Sequence, residues 1–187
     1  MNDSEAASDA DLALRAQSGD KRSFDTLISR HKAALYQFVR RYIGHRDEAY
    51  DVLQETFVAA WLALRRYDSE RSFAAWLRTI ALNKCRDHGR RVAVRRRIHQ
   101  LFTDMTLILG AEPTPERGDD GPLDQLDEAI ASLPAFYKEP LLLTLVGVLS
   151  HQETALQLHT TPKAVEMRIA RARKKLADTL SDLKAEG

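Results

Sequence analysis

The stretch DEAYDVLQETFVAAW, from Asp47 to Trp61, decides the fold because its residues separate into two faces at the 3.6-residue period of a helix. One face is apolar and would close a helical core; it holds Leu53, Phe57, Ala60, Trp61 and Leu64. The opposite face is acidic and amidic with two aliphatic side chains; it holds Asp51, Gln54, Glu55, Val58 and Leu62. Taken alone, the stretch fits an ordinary amphipathic helix. Its position between two basic, aromatic-bearing segments favours a docking surface for a basic, partly apolar partner.

The composition is that of a globular protein. The chain has 187 residues, of which 44% are hydrophobic and 29% charged, enough for one medium domain or two small ones. The single cysteine, Cys85, excludes an intramolecular disulfide and favours reducing, cytoplasmic surroundings. The polar, acidic N-terminus does not resemble a signal peptide, and the most apolar run, Leu141 to Leu149, is too short to span a bilayer. Direct membrane insertion is therefore not expected.

Charge alternates along the chain, although the formal net charge is only +1. The N-terminus and the segment from Glu112 to Glu128 are acidic, whereas the segments Lys84 to Arg97 and Lys163 to Lys175 are basic. Two separated basic patches with acidic spacers indicate two contacts with one polyanion, or one contact and an internal mask.

Apolar spacing predicts helices throughout and no strand. The expected helices cover residues 9–18, 21–43, 47–66, 73–90, 123–132, 135–148, 150–158 and 161–181. Asp9 is the expected N-cap of the first helix, and IHQLFTDMTLIL (98–109) is expected to form a short docking helix. The stretch GAEPTPERGDDGP has the composition of a linker. The predicted fold is all-α, with a helical bundle at 1–95, a flexible linker at 96–122 and a helix-turn-helix domain at 123–187.

The last two helices carry the clearest local signal. Ser150 and Glu153 have the spacing of a capping box, and His159 stands where the turn needs a left-handed residue. Thr161 caps the final helix, and Pro162 takes its first position. This is a helix-turn-helix layout.

The final helix has a predicted buried stripe and an outward face. The stripe consists of Val165, Ile169, Ala172, Leu176 and Leu180. The outward face consists of Lys163, Glu166, Met167, Ala170, Arg171 and Lys174. Small or apolar residues let such a helix enter a major groove, while the flanking cations neutralise phosphates.

No catalytic, cofactor or metal site is predicted. Cys85 and His88 share a helix face by spacing, but no second Cys/His pair completes four ligands. Neither a glycine-rich phosphate loop nor a nucleophile with a suitable base is present. The cluster Arg95-Arg96-Arg97 is interpreted as a solvated phosphate-steering group.

Four segments together resemble the extracytoplasmic-function (ECF) group of bacterial RNA polymerase sigma factors. They are AQSGDKRSFDTLISRH, DEAYDVLQETFVAAW, RRYDSERSFAAWLRTIALNKCRDHGRR and LPAFYKEPLLLTLVGVLSHQETALQLHTTPKAVEMRIARARKKL. Their order and spacing carry the resemblance, which covers about residues 10 to 181. It implies an alternative sigma factor, active in stress responses, that binds core RNA polymerase and directs promoter-specific transcription initiation.

The resemblance also implies roles for the N-terminal helices. The chain would bind the polymerase at the clamp helices of its largest subunit and at its flap. The residues that would contact the clamp helices are Asp51, Gln54, Glu55, Val58 and Leu62. The promoter minus-ten element would be bound by Tyr67, Asp68, Arg71, Ser72, Arg78, Asn83, Lys84 and Arg86. A loop from Tyr67 to Ser72 would capture a flipped base, which costs a few kcal/mol of stacking. The aromatic residues Trp61, Phe73 and Trp76 are expected to pack in the core.

In the C-terminal domain, the resemblance implies contacts with the minus-thirty-five element. The residues at those positions are Thr161, Lys163, Glu166, Met167, Arg168, Arg171 and Lys174. The chain departs from the family pattern at His159, where glycine is common, and at Glu166 and Met167, where small or basic residues are common. The acidic residues of the linker would either mimic nucleic acid or keep the segment soluble.

Two further expectations concern partners. The resemblance implies control by an anti-sigma factor, often membrane-tethered. A stand-alone helix-turn-helix regulator, whose N-terminal helices dimerise or bind an effector, is the alternative. A sigma factor needs the polar face of the Asp47 helix for docking and should bind free promoter duplex poorly. A stand-alone regulator does not need that face and should bind its operator without help.

Overall fold

The computed structural model describes residues 7–106, 122–145 and 148–185, and within these ranges the regular structure is entirely helical. The α-helices are α1 (Asp9–Gln17), α2 (Lys21–Ile43), α3 (Arg46–Ala63), α4 (Phe73–Thr106), α5 (Pro122–Ser132), α6 (Ala135–Thr144), α7 (His151–Gln157) and α8 (Pro162–Ala185). A 3-10 turn at Leu64–Arg66 follows α3. The all-α prediction is confirmed. In the same ranges, no helix combines the length and apolarity needed to cross a bilayer.

Helix α2 lies at the centre of the fold. It packs against α1, α3 and α4 on one side and against α5 and α6 on the other. Its buried apolar side chains are Phe24, Leu27, Leu35, Phe38, Val39 and Tyr42. They belong to one continuous core that also includes Ile130, Leu142, Leu143 and Leu149 from the C-terminal part of the chain. The two sequence-predicted domains therefore share buried apolar surface.

Gly44 ends α2 in the left-handed conformation, with φ 93°. Its missing side chain also admits a neighbour, because a Cβ at this position would lie 2.8 Å from the Cβ of Ala131 in α5. Any larger residue at this position would therefore strain the backbone and push α5 away.

The aromatic residues pack as predicted. Phe73 is buried, and Trp61 and Trp76 are half-buried against the core. The ring centres of Tyr67 and Phe73 are 5.4 Å apart, and those of Tyr67 and Trp76 are 5.0 Å apart. These edge and tilted arrangements are the favourable geometries for aromatic pairs.

Three predicted helix ends differ clearly from the structure. The N-cap of α1 is Ser8, which forms a capping box with Asp11, so the prediction of Asp9 was wrong by one residue. Asp9 instead lies 2.6 Å from Nε2 of His31 and 3.1 Å from Nη1 of Arg30, an arrangement that ties α1 to α2.

Helix α4 continues to Thr106, beyond the predicted end at residue 90. Only Gly89 interrupts the sequence around that point, and the following arginines and alanine favour helix. The short helix predicted at 98–109 is the continuation of α4 as far as Thr106. The flexible linker predicted at 96–122 was wrong for residues 96–106, which are helical in α4, and its residues 107–121 lie outside the described ranges. Helix α6 ends at Thr144 rather than near 148.

Replacing Leu53, which is 2% exposed, by Ala should lower the free energy of unfolding by about 2–5 kcal/mol through lost burial and a residual cavity. The matched control is Leu62→Ala on the same helix, where the leucine is 77% exposed and the change should stay within about 0.5 kcal/mol. Urea unfolding followed by circular dichroism measures both. Equal losses would contradict the orientation of α3.

Candidate docking and nucleic-acid interfaces

The outward face of α3 is the face predicted for docking. Burial of Val52, Leu53 and Ala60 fixes the helix rotation, so that Asp51 and Gln54 are exposed. Two aliphatic side chains of the same face also stay in solvent: Val58 is 60% exposed and Leu62 77% exposed. Exposed apolar side chains with polar neighbours are typical of protein interaction sites.

Two cations of α4 border this face. Oε1 of Glu55 lies 3.1 Å from Nη2 of Arg91, and Oε2 of Glu55 lies 3.8 Å from Nζ of Lys84. All three side chains line a shallow groove of about 560 Å³ together with Val58 and Leu62. Lys84, which the sequence places among the minus-ten residues, thus lies at the edge of the docking face. Sequence reasoning missed Arg91 because its partner is on another helix.

Part-buried hydrogen bonds hold the loop 67–72, which precedes α4. Tyr67 is only 5% exposed, and its hydroxyl donates to the carbonyl oxygen of Arg71. Nε2 of Gln17 donates to the carbonyl oxygens of Leu64 and Tyr67 at 2.9 and 2.7 Å. Nothing in the sequence near Gln17 indicates this role, because the contact spans about fifty residues of chain.

The remaining predicted loop residues are exposed. Asp68 accepts from the backbone amide of Glu70 at 3.1 Å and lies 3.5 Å from the Arg71 guanidinium. Oγ of Ser72 accepts from the amide of Ala75 at 3.3 Å at the start of α4. The loop thus presents a polar rim to solvent above the buried Tyr67 ring.

The four predicted DNA-binding residues of α4 do not share one surface. Asn83 is exposed, and Lys84 is half-buried beside Glu55. Arg78 is 5% exposed, donates from Nη1 to the carbonyl oxygen of Leu145 at 3.2 Å, and has its pKa lowered by burial. Arg86 is paired with Glu139 of α6. Beyond them, Arg95, Arg96 and Arg97 are exposed on the continuing helix.

The helix-turn-helix geometry agrees with the sequence. The amide of Ser150 donates to Oε2 of Glu153 at 2.7 Å, and the amide of Glu153 donates to Oγ of Ser150 at 3.2 Å. These bonds lower the pKa of the Glu153 carboxyl. His159 has φ 50°, and Oγ1 of Thr161 accepts from the amide of Ala164 at 3.2 Å. The caps and the turn are confirmed.

Six of the seven predicted minus-thirty-five residues are exposed on or beside α8. They are Thr161, Lys163, Glu166, Met167, Arg171 and Lys174. Nζ of Lys163 lies 2.9 Å from Oε2 of Glu166, and this hydrogen bond lowers the pKa of the Glu166 carboxyl. Glu166 therefore stays ionised and offsets one cation of the face predicted to contact the minus-thirty-five element.

Arg168 is the exception on this helix because it is half-buried. Its guanidinium carbon lies 3.9 Å from the ring centre of Phe136, and Nη2 donates to Oγ1 of Thr160 at 3.3 Å. The buried stripe of α8 is confirmed at Val165, Ile169 and Ala172. Its last two members, Leu176 and Leu180, are only half-buried.

Within the described ranges, no three His, Cys, Asp or Glu side chains are placed to hold a metal ion. Cys85 is buried, and burial raises the pKa of its thiol to about 12. The thiol is therefore protonated at neutral pH and behaves as a small core residue.

Comparison with known proteins matches both halves of the chain. Residues 27–96 match the family described as Sigma-70 region 2, and residues 123–176 match Sigma-70, region 4. The RNA polymerase sigma factor NccH of Alcaligenes xylosoxydans xylosoxydans is 38% identical, covering 92% of this chain and 94% of its own. The ECF RNA polymerase sigma factor SigW of Bacillus subtilis is 27% identical over 90% of this chain and 95% of its own.

A third relative has a solved structure. The RNA polymerase sigma factor CnrH of Cupriavidus metallidurans is 39% identical, covering 92% of this chain and 95% of its own. The structure of CnrH in complex with the cytosolic domain of CnrY matches with a TM-score of 0.66 and 35% identity. The match covers 93% of this chain and 97% of the CnrH chain.

Arg168→Ala should lower the free energy of unfolding by about 1 kcal/mol, because it removes a cation–π contact and a hydrogen bond to Thr160. Arg171→Ala, three residues later at an exposed position, is the matched control and should change stability by less than about 0.5 kcal/mol. Chemical denaturation of the full chain measures the difference. Equal stability of the two variants would show that the Phe136 contact and the Thr160 hydrogen bond together contribute nothing.

Proposed function

This chain belongs to the sigma-70 family of RNA polymerase sigma factors, in its ECF group, and we propose that it docks on core polymerase through α3. In that complex it directs transcription initiation at promoters with its loop 67–72 and its helix α8. Its place of action is the cytoplasm, where polymerase and promoter DNA are found.

The observation that carries this proposal is the composition of the exposed α3 face. Leu62 and Val58 form an apolar centre, and Asp51 and Gln54 form a polar rim beside it. Protein interfaces have this anatomy of apolar centre and polar rim. Burying one such aliphatic side chain contributes about 1.5–3 kcal/mol, so the face is costly to leave in water and effective once covered. Glu55, held by Lys84 and Arg91, completes the acidic component.

We assign minus-ten binding to the rim of loop 67–72 and to α4. Asp68, Arg71 and Ser72 are exposed, where a flipped base and its phosphate can reach them. Asn83, also exposed, has the donor and acceptor pair that reads an adenine edge. Tyr67 contributes by holding the loop through its bond to Arg71.

We assign minus-thirty-five binding to α8 and the turn before it. Lys163, Arg171 and Lys174 are exposed cations suited to phosphates or guanine, and Met167 gives an apolar contact in the groove. The corresponding domains are residues 1–95 for docking and minus-ten binding and 123–187 for minus-thirty-five binding. The segment 96–122 joins them and begins with the last turns of α4.

An anti-sigma factor is the proposed regulator. CnrH, the relative with a solved structure, was solved with the cytosolic domain of CnrY. A membrane-tethered partner with a cytosolic segment is therefore the form expected for this chain. The stand-alone regulator considered from the sequence would instead use its N-terminal helices to dimerise or to bind an effector.

Run-off transcription on a genomic fragment library tests the proposal. Core polymerase with the chain should produce transcripts that polymerase alone does not. Arg171→Ala should reduce them roughly tenfold, because one lost major-groove contact costs about 1–3 kcal/mol. Polymerase binding should be unchanged.

Arg65→Ala, at an exposed arginine outside the proposed contacts, is the matched control and should transcribe as wild type does. Tight, sequence-specific binding of free duplex by the chain without polymerase would refute the proposal and support the stand-alone regulator.

A further inference from the structure

Arg78 of α4 carries a buried charge that the proposed function does not use. Its side chain is 5% exposed, its Nη1 donates to the carbonyl oxygen of Leu145 at 3.2 Å, and its guanidinium carbon lies 5.7 Å from the centre of the Phe38 ring. Within the described ranges no carboxylate pairs with it, and burial lowers its pKa. Such a charge is costly, because one carbonyl and one ring replace only part of the water that the guanidinium has lost.

The guanidinium borders a cavity of about 260 Å³ that lies between α2, α4 and the end of α6. The α2 wall consists of residues spaced by three and four, which places them on one face of the helix. Ala34 and Gln37 of this wall are exposed, so the cavity opens to solvent there. The described lining residues are Ala34, Gln37, Phe38, Arg41, Arg78, Leu142 and Leu145.

The lining combines positive charge with apolar surface, and none of its described residues is acidic. The charge of Arg41 is offset outside the cavity by Asp127, whose Oδ1 lies 3.2 Å from Nε of the arginine. Arg78 therefore supplies the uncompensated charge. A ligand that fits has one anionic group for Arg78 and an apolar body for the remaining wall. A carboxylate is the matching group, because its two oxygens accept parallel hydrogen bonds from one guanidinium.

We propose that this cavity binds a small organic carboxylate with an apolar body. The carboxylate pairs with Arg78, and the body packs against Phe38, Leu142 and Leu145. A closed cavity of about 150 Å³ takes one benzene molecule, so a half-open cavity of about 260 Å³ has room for a benzene ring that bears a carboxylate. The site shares no lining residue with the α3 docking face or with loop 67–72, and it does not depend on the proposed function.

Isothermal titration of the full chain with benzoate, compared with benzamide, tests the need for charge. Benzamide has nearly the same shape but no charge, so it should bind roughly tenfold more weakly, as for a hydrogen-bonded pair that loses its ionic character. Inorganic phosphate has the charge without the apolar body. At constant ionic strength it should not compete with benzoate.

Two variants locate the site. Arg78→Gln removes the charge, so benzoate should lose its advantage over benzamide. Ala34→Phe places a ring in the mouth of the cavity and should abolish benzoate binding; because Ala34 is exposed, this variant keeps the test valid if Arg78→Gln does not fold. The matched control is Ala33→Phe, at the exposed neighbouring residue outside the lining, which should bind benzoate as wild type does.

Three results would each overturn the inference. They are absence of benzoate binding by the folded wild type, binding of benzamide or phosphate as tight as that of benzoate, and wild-type affinity for benzoate in Ala34→Phe. Binding to core polymerase does not enter this test, so a chain that fails to bind polymerase would refute only the proposed function.

Discussion

The rotation of α3 about its own axis is the constraint on which the rest of this account depends. Val52, Leu53 and Ala60 are buried against neighbouring helices, and a helix that buries one stripe must turn the opposite stripe to solvent. The exposed stripe carries Val58 and Leu62, which no solvated helix needs. Core packing and partner binding are thus two consequences of one periodic sequence, and a change that rotates α3 would damage both.

Helix α2 connects α3, the helix proposed for docking, to the C-terminal helices proposed for DNA binding. One side of α2 supports α3 and α4, and the other receives α5 and α6. The polar contacts at this second boundary, between Arg86 and Glu139 and between Lys138 and the end of α2, connect residues that belong to different domains. Such a pair adds little net stability, because the cost of taking both charges out of water offsets much of their attraction.

Local features of the fold were predictable because the groups that form each hydrogen bond or turn lie within a few residues of one another in the sequence. The capping box of Ser150 and the left-handed His159 follow from short-range geometry. The extension of α4 to Thr106 was missed because the side chains at 93–99 are exposed, so no apolar period marks this part as helix. The binding of Arg86 by Glu139 was missed because the partners are 53 residues apart. Likewise, the family pattern assigns Arg168 to DNA, and only the structure shows its contact with Phe136. The periodicity of the sequence predicts the apolar and polar faces of each helix, whereas the packing of helices distant in sequence decides which polar faces stay exposed to solvent.

The most direct test of the central claim is the affinity of the labelled chain for purified core RNA polymerase, measured for wild type and for an Asp51/Gln54/Glu55 triple-alanine variant. These three residues lie on the outward side of α3, so the variant should keep its helical content. The account predicts tight wild-type binding and its loss in the folded variant. Equal binding by both would contradict the assignment of α3 as the docking helix, and no binding by folded wild type would contradict the proposed function itself.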